Sequence, residues 1–296
     1  MSAALCRDAA TNIMPELPEV EVLARHLRRV LRGKIVRAVR VRRAKILHPT
    51  SERELKKVLI GANFKSLSRR GKYLLFDFQS TSARKTVTVL GHLGMTGKMF
   101  VADKGRPLPK HAAVVLELNR GNFIYEDTRY FGRFTLDLTS VEKLGPEPDD
   151  QKFTPEIFAR GLKRSHQAIK VKLLDQSLLA GVGNIYASEA LFRAKISPLR
   201  AANKLTLAQV KKLLSAVRAV LRAATDCGST IPLNFSDGKK GDGLFYFGRA
   251  ADAPDFYAER LRVYDRAGKP CVRCGADIRR IVQAARSTFF CPRCQR

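Results

Sequence analysis

Behind Met14-Pro15-Glu16, apolar residues at Val20, Leu23, Leu27, Val30 and Leu31 recur at helical spacing until Gly33 ends the run. Pro15 is tolerated in a first turn, and Glu16, Glu19 and Glu21 suit the positive end of a helix dipole, so a helix is expected here. From residue 34 to about 138 the pattern changes to short strand-like runs, KIVRAVRVR, KYLLFDF, KTVTVLGHLG, AAVVLEL, NFIYED and FGRFTLDL, broken by Gly, Pro, Asn and Asp. Such a series predicts an antiparallel β-sandwich. GPEPDD (residues 145–150) interrupts the pattern and marks the expected domain boundary. Beyond it, IFARGLKR, QAIKVKLLDQ, YASEALFRA and LTLAQVKKLLSAVRAVLRAA carry apolar positions at helical spacing. Between two of these helices lies AGVGNIY, whose Gly181 and Gly183 predict a tight turn bringing backbone N–H groups and the Asn184 amide to one surface. That turn reads either as a phosphate clamp at a helix start or as an ordinary helix–helix connection.

Composition narrows the class. The 296 residues include 55 Lys+Arg against 27 Asp+Glu, a net charge of +28 at 45% hydrophobic content, which describes a folded basic protein with a polyanionic partner such as nucleic acid. No apolar run approaches the roughly 18–20 residues needed to cross a bilayer, and the first dozen residues lack the apolar core of a secretory signal. A cytoplasmic protein without a membrane partner is expected. Cys271, Cys274, Cys291 and Cys294 are spaced C-x2-C, sixteen residues, C-x2-C, which is the pattern of a four-thiolate zinc site closed by a β-hairpin. One structural Zn2+ is expected there, and Cys6 and Cys227 read as inert thiols.

Seven motifs in order carry a family resemblance. MPELPEVE (14–21), RRGKYLLF (69–76), HLGMTG (92–97), DTRYFGRF (127–134), LGPEP (144–148), GVGNIYASEALF (181–192) and the terminal CxxC hairpin resemble the bacterial formamidopyrimidine-DNA glycosylases over nearly everything from Met14 onward. Leu17 separates the chain from the endonuclease VIII type enzymes, which open PEGPE. The resemblance implies an α+β multidomain chain with the domains 14–146 (N-terminal helix and catalytic β-sandwich), 147–260 (helix-two-turn-helix with a loop that caps the lesion) and 261–296 (zinc hairpin). It further implies a monomeric repair enzyme acting on damaged double-stranded DNA. That enzyme extrudes an oxidised purine, 8-oxoguanine or a formamidopyrimidine, cleaves its N-glycosidic bond and cuts the abasic site by β,δ-elimination.

By the same resemblance Pro15, freed at its nitrogen, is the nucleophile at C1′, and Glu16 is the general acid at the sugar. The chemistry of the residues agrees: an α-amine with a pKa near 8 is roughly 10–15% neutral at pH 7, whereas an ordinary lysine is almost wholly protonated. Taken alone, Pro15-Glu16 would be merely a good helix start. Lys72, Asn184 and Arg286 match phosphate-contacting positions, Lys72 and Arg286 being counted with the catalytic set. Met95, Arg129 and Phe131 match the residues that fill the void left by the flipped base, and His111 a position near the DNA backbone. Glu19 and Glu189 match acidic positions near the family site but read equally well as helix acids, and they are left out of the catalytic set. Two departures stand out. Thirteen residues precede Met14 and would bury the Pro15 nitrogen in a peptide bond, so the functional chain is expected to begin at Met14 and lose it. The capping-loop region is longer than usual between Gly241 and Phe256 and carries Phe245, Tyr246 and Phe247. A non-catalytic zinc DNA-binding protein on the same scaffold is the alternative if the N-terminus stays blocked.

Overall fold

The computed structural model describes residues 14–80, 85–226 and 261–296. The thirteen-residue extension, Cys6, Cys227 and the long loop expected to cap the lesion, with its three aromatics, lie outside the described residues. The chain divides into two units: the first holds residues 19–142 and Pro15, and the second holds residues 16–18, 143–226 and the C-terminal hairpin.

In the first unit, α1 (Leu17–Leu31) places Glu19 in its first turn and Arg28 and Arg29 in its last, with charges suited to both ends of the dipole. Its Val20, Leu23, Leu27 and Leu31 are buried, and Gly33 stops it with a positive φ of 70°. After β1 (Val36–Val41) comes α2 (Glu52–Leu59), a short helix that the strand-dominated reading of residues 34–138 does not anticipate. It is a capping-box helix: the Ser51 hydroxyl accepts from the Glu54 N–H, and the Glu54 carboxylate accepts from the Ser51 N–H. With Leu55 and Leu59 its only buried residues, its apolar signal is too sparse to read as a period.

Seven further strands follow: β2 (Asn63–Arg70), β3 (Tyr73–Gln79), β4 (Thr86–His92), β5 (Gly97–Ala102), β6 (Ala112–Leu118), β7 (Asn122–Asp127) and β8 (Arg133–Thr135). They pair antiparallel into two four-stranded sheets, ordered β1-β6-β7-β5 and β2-β3-β4-β8. β2 escapes the alternation test because a bulge between Phe64 and Ser66 breaks its period and its outer face is polar. Phe76 and Phe134 of one sheet meet Phe123 of the other with ring centroids 5.6 and 5.8 Å apart, so the two sheets share one aromatic core.

α3 (Thr139–Glu142) ends this stretch of the first unit, and the second unit opens with α4 (Pro155–Lys163), capped by the Thr154 hydroxyl, and α5 (Ile169–Leu173). α6 (Asn184–Ala194) and α7 (Leu207–Asp226) are the remaining α-helices among the described residues. α6 is buried from Ile185 to Phe192, which makes it the central helix of the unit. β9 (Arg279–Gln283) and β10 (Arg286–Phe290) then form an antiparallel hairpin whose two-residue loop, Ala284-Ala285, has positive φ at both positions. The expected mixed architecture of helix, antiparallel sandwich, helical region and terminal hairpin is what the structure contains. Among the described residues no helix is long and apolar enough to cross a membrane.

Candidate functional site

Two groups of predicted site residues form, one in each unit. In the first unit Lys72 occupies the tight β2–β3 turn beside Gly71 and is half-exposed. Met95 lies half-buried in the β4–β5 connection, while Arg129 and Phe131 project from the loop after β7, with the guanidinium 5.4 Å from the Phe131 ring centre. At 54% exposure Phe131 is a large apolar ring held out to solvent, which suits a wedge and is poor core design. His111 is half-buried, and its carbonyl accepts the Asp127 N–H.

The sequence reading did not single out the residues that tie these loops together. Asp127 is fully buried: its Oδ1 accepts from the Thr96 hydroxyl at 2.6 Å, and its Oδ2 accepts from the Gly132 N–H at 2.9 Å. The Arg129 N–H is shared between Asp127 Oδ1 and Thr96 Oγ1, both at 3.2 Å. Gly94 is pressed against the Phe131–Gly132 backbone, where an added Cβ would sit 2.7 Å from the Gly132 nitrogen. Gly132 is equally constrained, since its Cβ would collide with the Tyr125 hydroxyl, which donates to the His92 carbonyl at 2.7 Å. His92 stacks on Tyr73 at 4.6 Å and accepts the Gly94 N–H on Nδ1, so its ring is neutral. Burial, followed by the nearby charges of Lys72 and Arg133, holds its pKa down at about 4.

In the second unit the GVGN turn does something other than present free N–H groups. Gly181 (φ 92°) donates its N–H to Gln176 Oε1, while the N–H groups of Gly183, Ile185 and Tyr186 point to the Glu16 carboxylate at 2.8, 2.8 and 3.4 Å. Of the two readings of this turn, these backbone N–H groups therefore serve an internal carboxylate: Glu16, buried at 2% exposure, caps the start of α6 from 167 residues away in the chain. Gly183 has no room for a side chain, because a Cβ would lie 2.3 Å from the Glu16 carboxyl carbon. Leu17 adds an N–H to the Gly181 carbonyl, locking the backbone that follows Pro15.

The Asn184 side chain is bonded within the protein at both of its polar atoms. Its Nδ2 donates to the Ser287 carbonyl at 2.9 Å, and its Oδ1 accepts from Lys170 Nζ, so it ties the turn to the hairpin next to Arg286. Lys170 is absent from the sequence-level candidates, yet it is the buried cation of this group. Burial above all, then the charge of Arg286, lowers its pKa to about 8 against the opposing pull of Glu16. Arg286 is exposed at the first position of β10. Glu189, also set aside as a plain helix acid, is fully engaged: its carboxylate accepts the N–H groups of Arg262, Val263 and Tyr264 at 2.9 to 3.1 Å and so anchors the segment entering the hairpin. Burial raises its pKa in spite of those bonds.

The four cysteines test the metal expectation directly. All four sulfurs lie within 4.8 Å of one another, with Cys271–Cys294 at 3.9 Å and Cys274–Cys291 at 3.5 Å. Zinc–sulfur bonds of about 2.3 Å in a tetrahedron give sulfur–sulfur edges of about 3.8 Å, so the cage has the size of a zinc site, and its sulfurs stand too far apart for disulfides. The Arg273 and Cys294 N–H groups point at Cys271 Sγ and Cys291 Sγ, both at 3.4 Å, as expected around thiolates. Four protein thiolates close the coordination shell, which makes the ion structural.

Comparisons with known proteins agree with this geometry. Residues 14–134 match the formamidopyrimidine-DNA glycosylase N-terminal domain, 144–234 the H2TH domain of the same proteins, and 268–296 the zinc finger found in FPG and IleRS. The formamidopyrimidine-DNA glycosylase of Ligilactobacillus salivarius is 41% identical over 290 residues, covering 95% of this chain and 99% of that protein. The one from Carboxydothermus hydrogenoformans is 38% identical, covering 96% and 100%. Among solved structures, a complex of wild-type Lactococcus lactis Fpg (MutM) with DNA containing N7-benzyl-Fapy-dG superposes with a TM-score of 0.81 at 33% identity, covering 95% of this chain and all of that one. The L. lactis enzyme bound to abasic-site DNA gives 0.80 at the same identity, covering 95% and 99%.

Proposed function

Because the chain belongs to the formamidopyrimidine-DNA glycosylase family and is a DNA glycosylase of base-excision repair with one structural zinc, we propose that Pro15 and Glu16 are its catalytic pair. Cleavage of the Met14–Pro15 bond frees a secondary amine whose neutral fraction attacks C1′ of the damaged nucleotide. The glycosidic bond breaks, the base leaves with the electron pair, and the resulting Schiff base undergoes β,δ-elimination. Glu16 acts as the proton donor at the sugar. The observation that carries this reading is the fixing of Glu16 on the α6 N-terminus together with the Leu17–Gly181 bond, which hold the backbone at Pro15 in one place. Removal of 8-oxoguanine and formamidopyrimidines from duplex DNA is the activity these residues serve.

In the same reading, Lys72, Asn184 and Arg286 bind phosphates, His111 contacts the DNA backbone, and Met95, Arg129 and Phe131 fill the void. Asn184 acts through its place between Lys170 and the hairpin. The working division is 14–146, 147–260 and 261–296 in a cytoplasmic monomer that starts at Pro15, with the 241–256 insertion tuning the choice of lesion. Borohydride trapping on abasic-site DNA tests the proposal. A chain beginning at Pro15 gives a covalent adduct mapped to that residue, and the same chain beginning at Met1 gives none and only binds DNA. An adduct of equal yield from the Met1 form, or one mapped elsewhere, overturns it.

A further inference from the structure

We propose that Thr96 and Asp127 are the positioning pair that couples the Met95 loop to the Arg129–Phe131 loop, so that the two enter DNA as one wedge and discrimination of the opposite base depends on this buried hydrogen bond. The inference rests on the void-filling reading of Met95, Arg129 and Phe131 and goes beyond it, because neither Thr96 nor Asp127 is required to touch DNA. Three residues on two loops that merely lay side by side would move independently, and an arginine that reads a base edge needs its backbone held.

The geometry supplies that hold. The Asp127 carboxylate is fully buried and satisfied on both oxygens, by the Thr96 hydroxyl at 2.6 Å on one and the Gly132 N–H at 2.9 Å on the other. Thr96 immediately follows Met95, and the N–H of Arg129 itself is shared between the Thr96 hydroxyl and the Asp127 carboxylate. Within this clamp Tyr130 stands at a φ of 55°, so the loop is bent in a way that an unclamped non-glycine residue would relax. Gly94 against Phe131–Gly132 leaves no slack between the two backbones. A hydrogen bond to a buried carboxylate is among the stronger ones in proteins, and losing its donor leaves an acceptor without its partner.

The test uses Thr96→Val, which keeps shape and removes the hydroxyl, with Thr96→Ser as the rescue and Arg129→Ala as the control for the underlying reading. Each zinc-loaded variant with a free Pro15 is measured for single-turnover excision of 8-oxoguanine opposite cytosine and opposite adenine, and for cutting of a preformed abasic site in single-stranded DNA, which has no opposite base. Thr96→Val should lower the cytosine-to-adenine rate ratio by about tenfold while single-strand cutting stays within about twofold, and Thr96→Ser should recover the wild-type ratio to within about twofold. If Arg129→Ala lowers the ratio and Thr96→Val leaves it untouched, the coupling is overturned and the wedge reading stands. If Arg129→Ala leaves the ratio untouched, the wedge reading fails and the proposal fails with it. Loss of single-strand cutting in Thr96→Val along with the ratio, or failure of Thr96→Ser to rescue, assigns Thr96 to general packing and also overturns the proposal.

Discussion

Lys170→Met removes a cation that the fold buries completely, and the consequence can be worked out as a function of pH. Lys170 donates to Asn184 Oδ1 and lies near both Arg286 and Glu16; burial is the main cause of its lowered pKa, about 8 in place of 10.5. Between those two values the unfolded chain binds the proton more readily than the folded protein, so stability rises with pH through that window. Below pH 8 the ammonium is carried in both states and the full cost of burying it is present; above 10.5 the cost is gone. From pH 7 to 9.5 the wild-type protein should therefore gain about 2 kcal/mol relative to Lys170→Met, as an upper figure before solvent screening is allowed for. Urea unfolding of both zinc-loaded proteins across that range gives the difference directly, and groups that titrate alike in the two proteins cancel from it. Parallel stability curves would show that Lys170 titrates as an ordinary lysine and would refute the reasoning. At pH 7 a group with a pKa of about 8 is still mostly charged, so the variant should also bind duplex DNA more weakly, and the deficit should shrink as the pH approaches 9.

Further outcomes are expected. Chelation of the zinc, or Cys291→Ser, should unfold the hairpin that carries Arg286 and abolish binding to all duplexes alike, read as loss of the hairpin amides' protection from hydrogen exchange; retained protection without metal would contradict the structural assignment. Lys72→Ala and Arg286→Ala should each reduce the slope of log affinity against log salt by about one without changing sequence preference, and an unchanged slope removes that residue from the phosphate set. Ala285→Gly relieves a residue held at a φ of 58° in the β9–β10 turn and should stabilise the hairpin by about 0.5–1 kcal/mol with DNA affinity unchanged; a lower unfolding midpoint would contradict the turn geometry.

Local pattern was enough for much of this molecule. The apolar stripe of α1, the alternation of β3 and the period of α7 are visible because each buries one face against a core, and burial of one face leaves a period in the chain, whereas β6, buried at all but one position, shows as a continuous apolar run. The CxxC pairs are legible for a comparable reason, since coordination geometry limits how far apart two thiolates can stand. Helix α2 and the bulged strand β2 were not legible, the first because its stability comes from the Ser51–Glu54 capping box more than from a stripe, the second because one inserted residue erases alternation. What tertiary structure alone decided is which polar groups meet. Nothing near Glu16 in the chain announces that its carboxylate closes the start of a helix beginning at Asn184. Lys170 looks like any helix lysine until it is seen buried against Asn184, and Asp127 like any acid at a strand end until Thr96 reaches it. A hydrophobic period is a property of neighbours in sequence, whereas the partner of a buried charge is selected by desolvation, which acts only once distant segments have packed and water is gone.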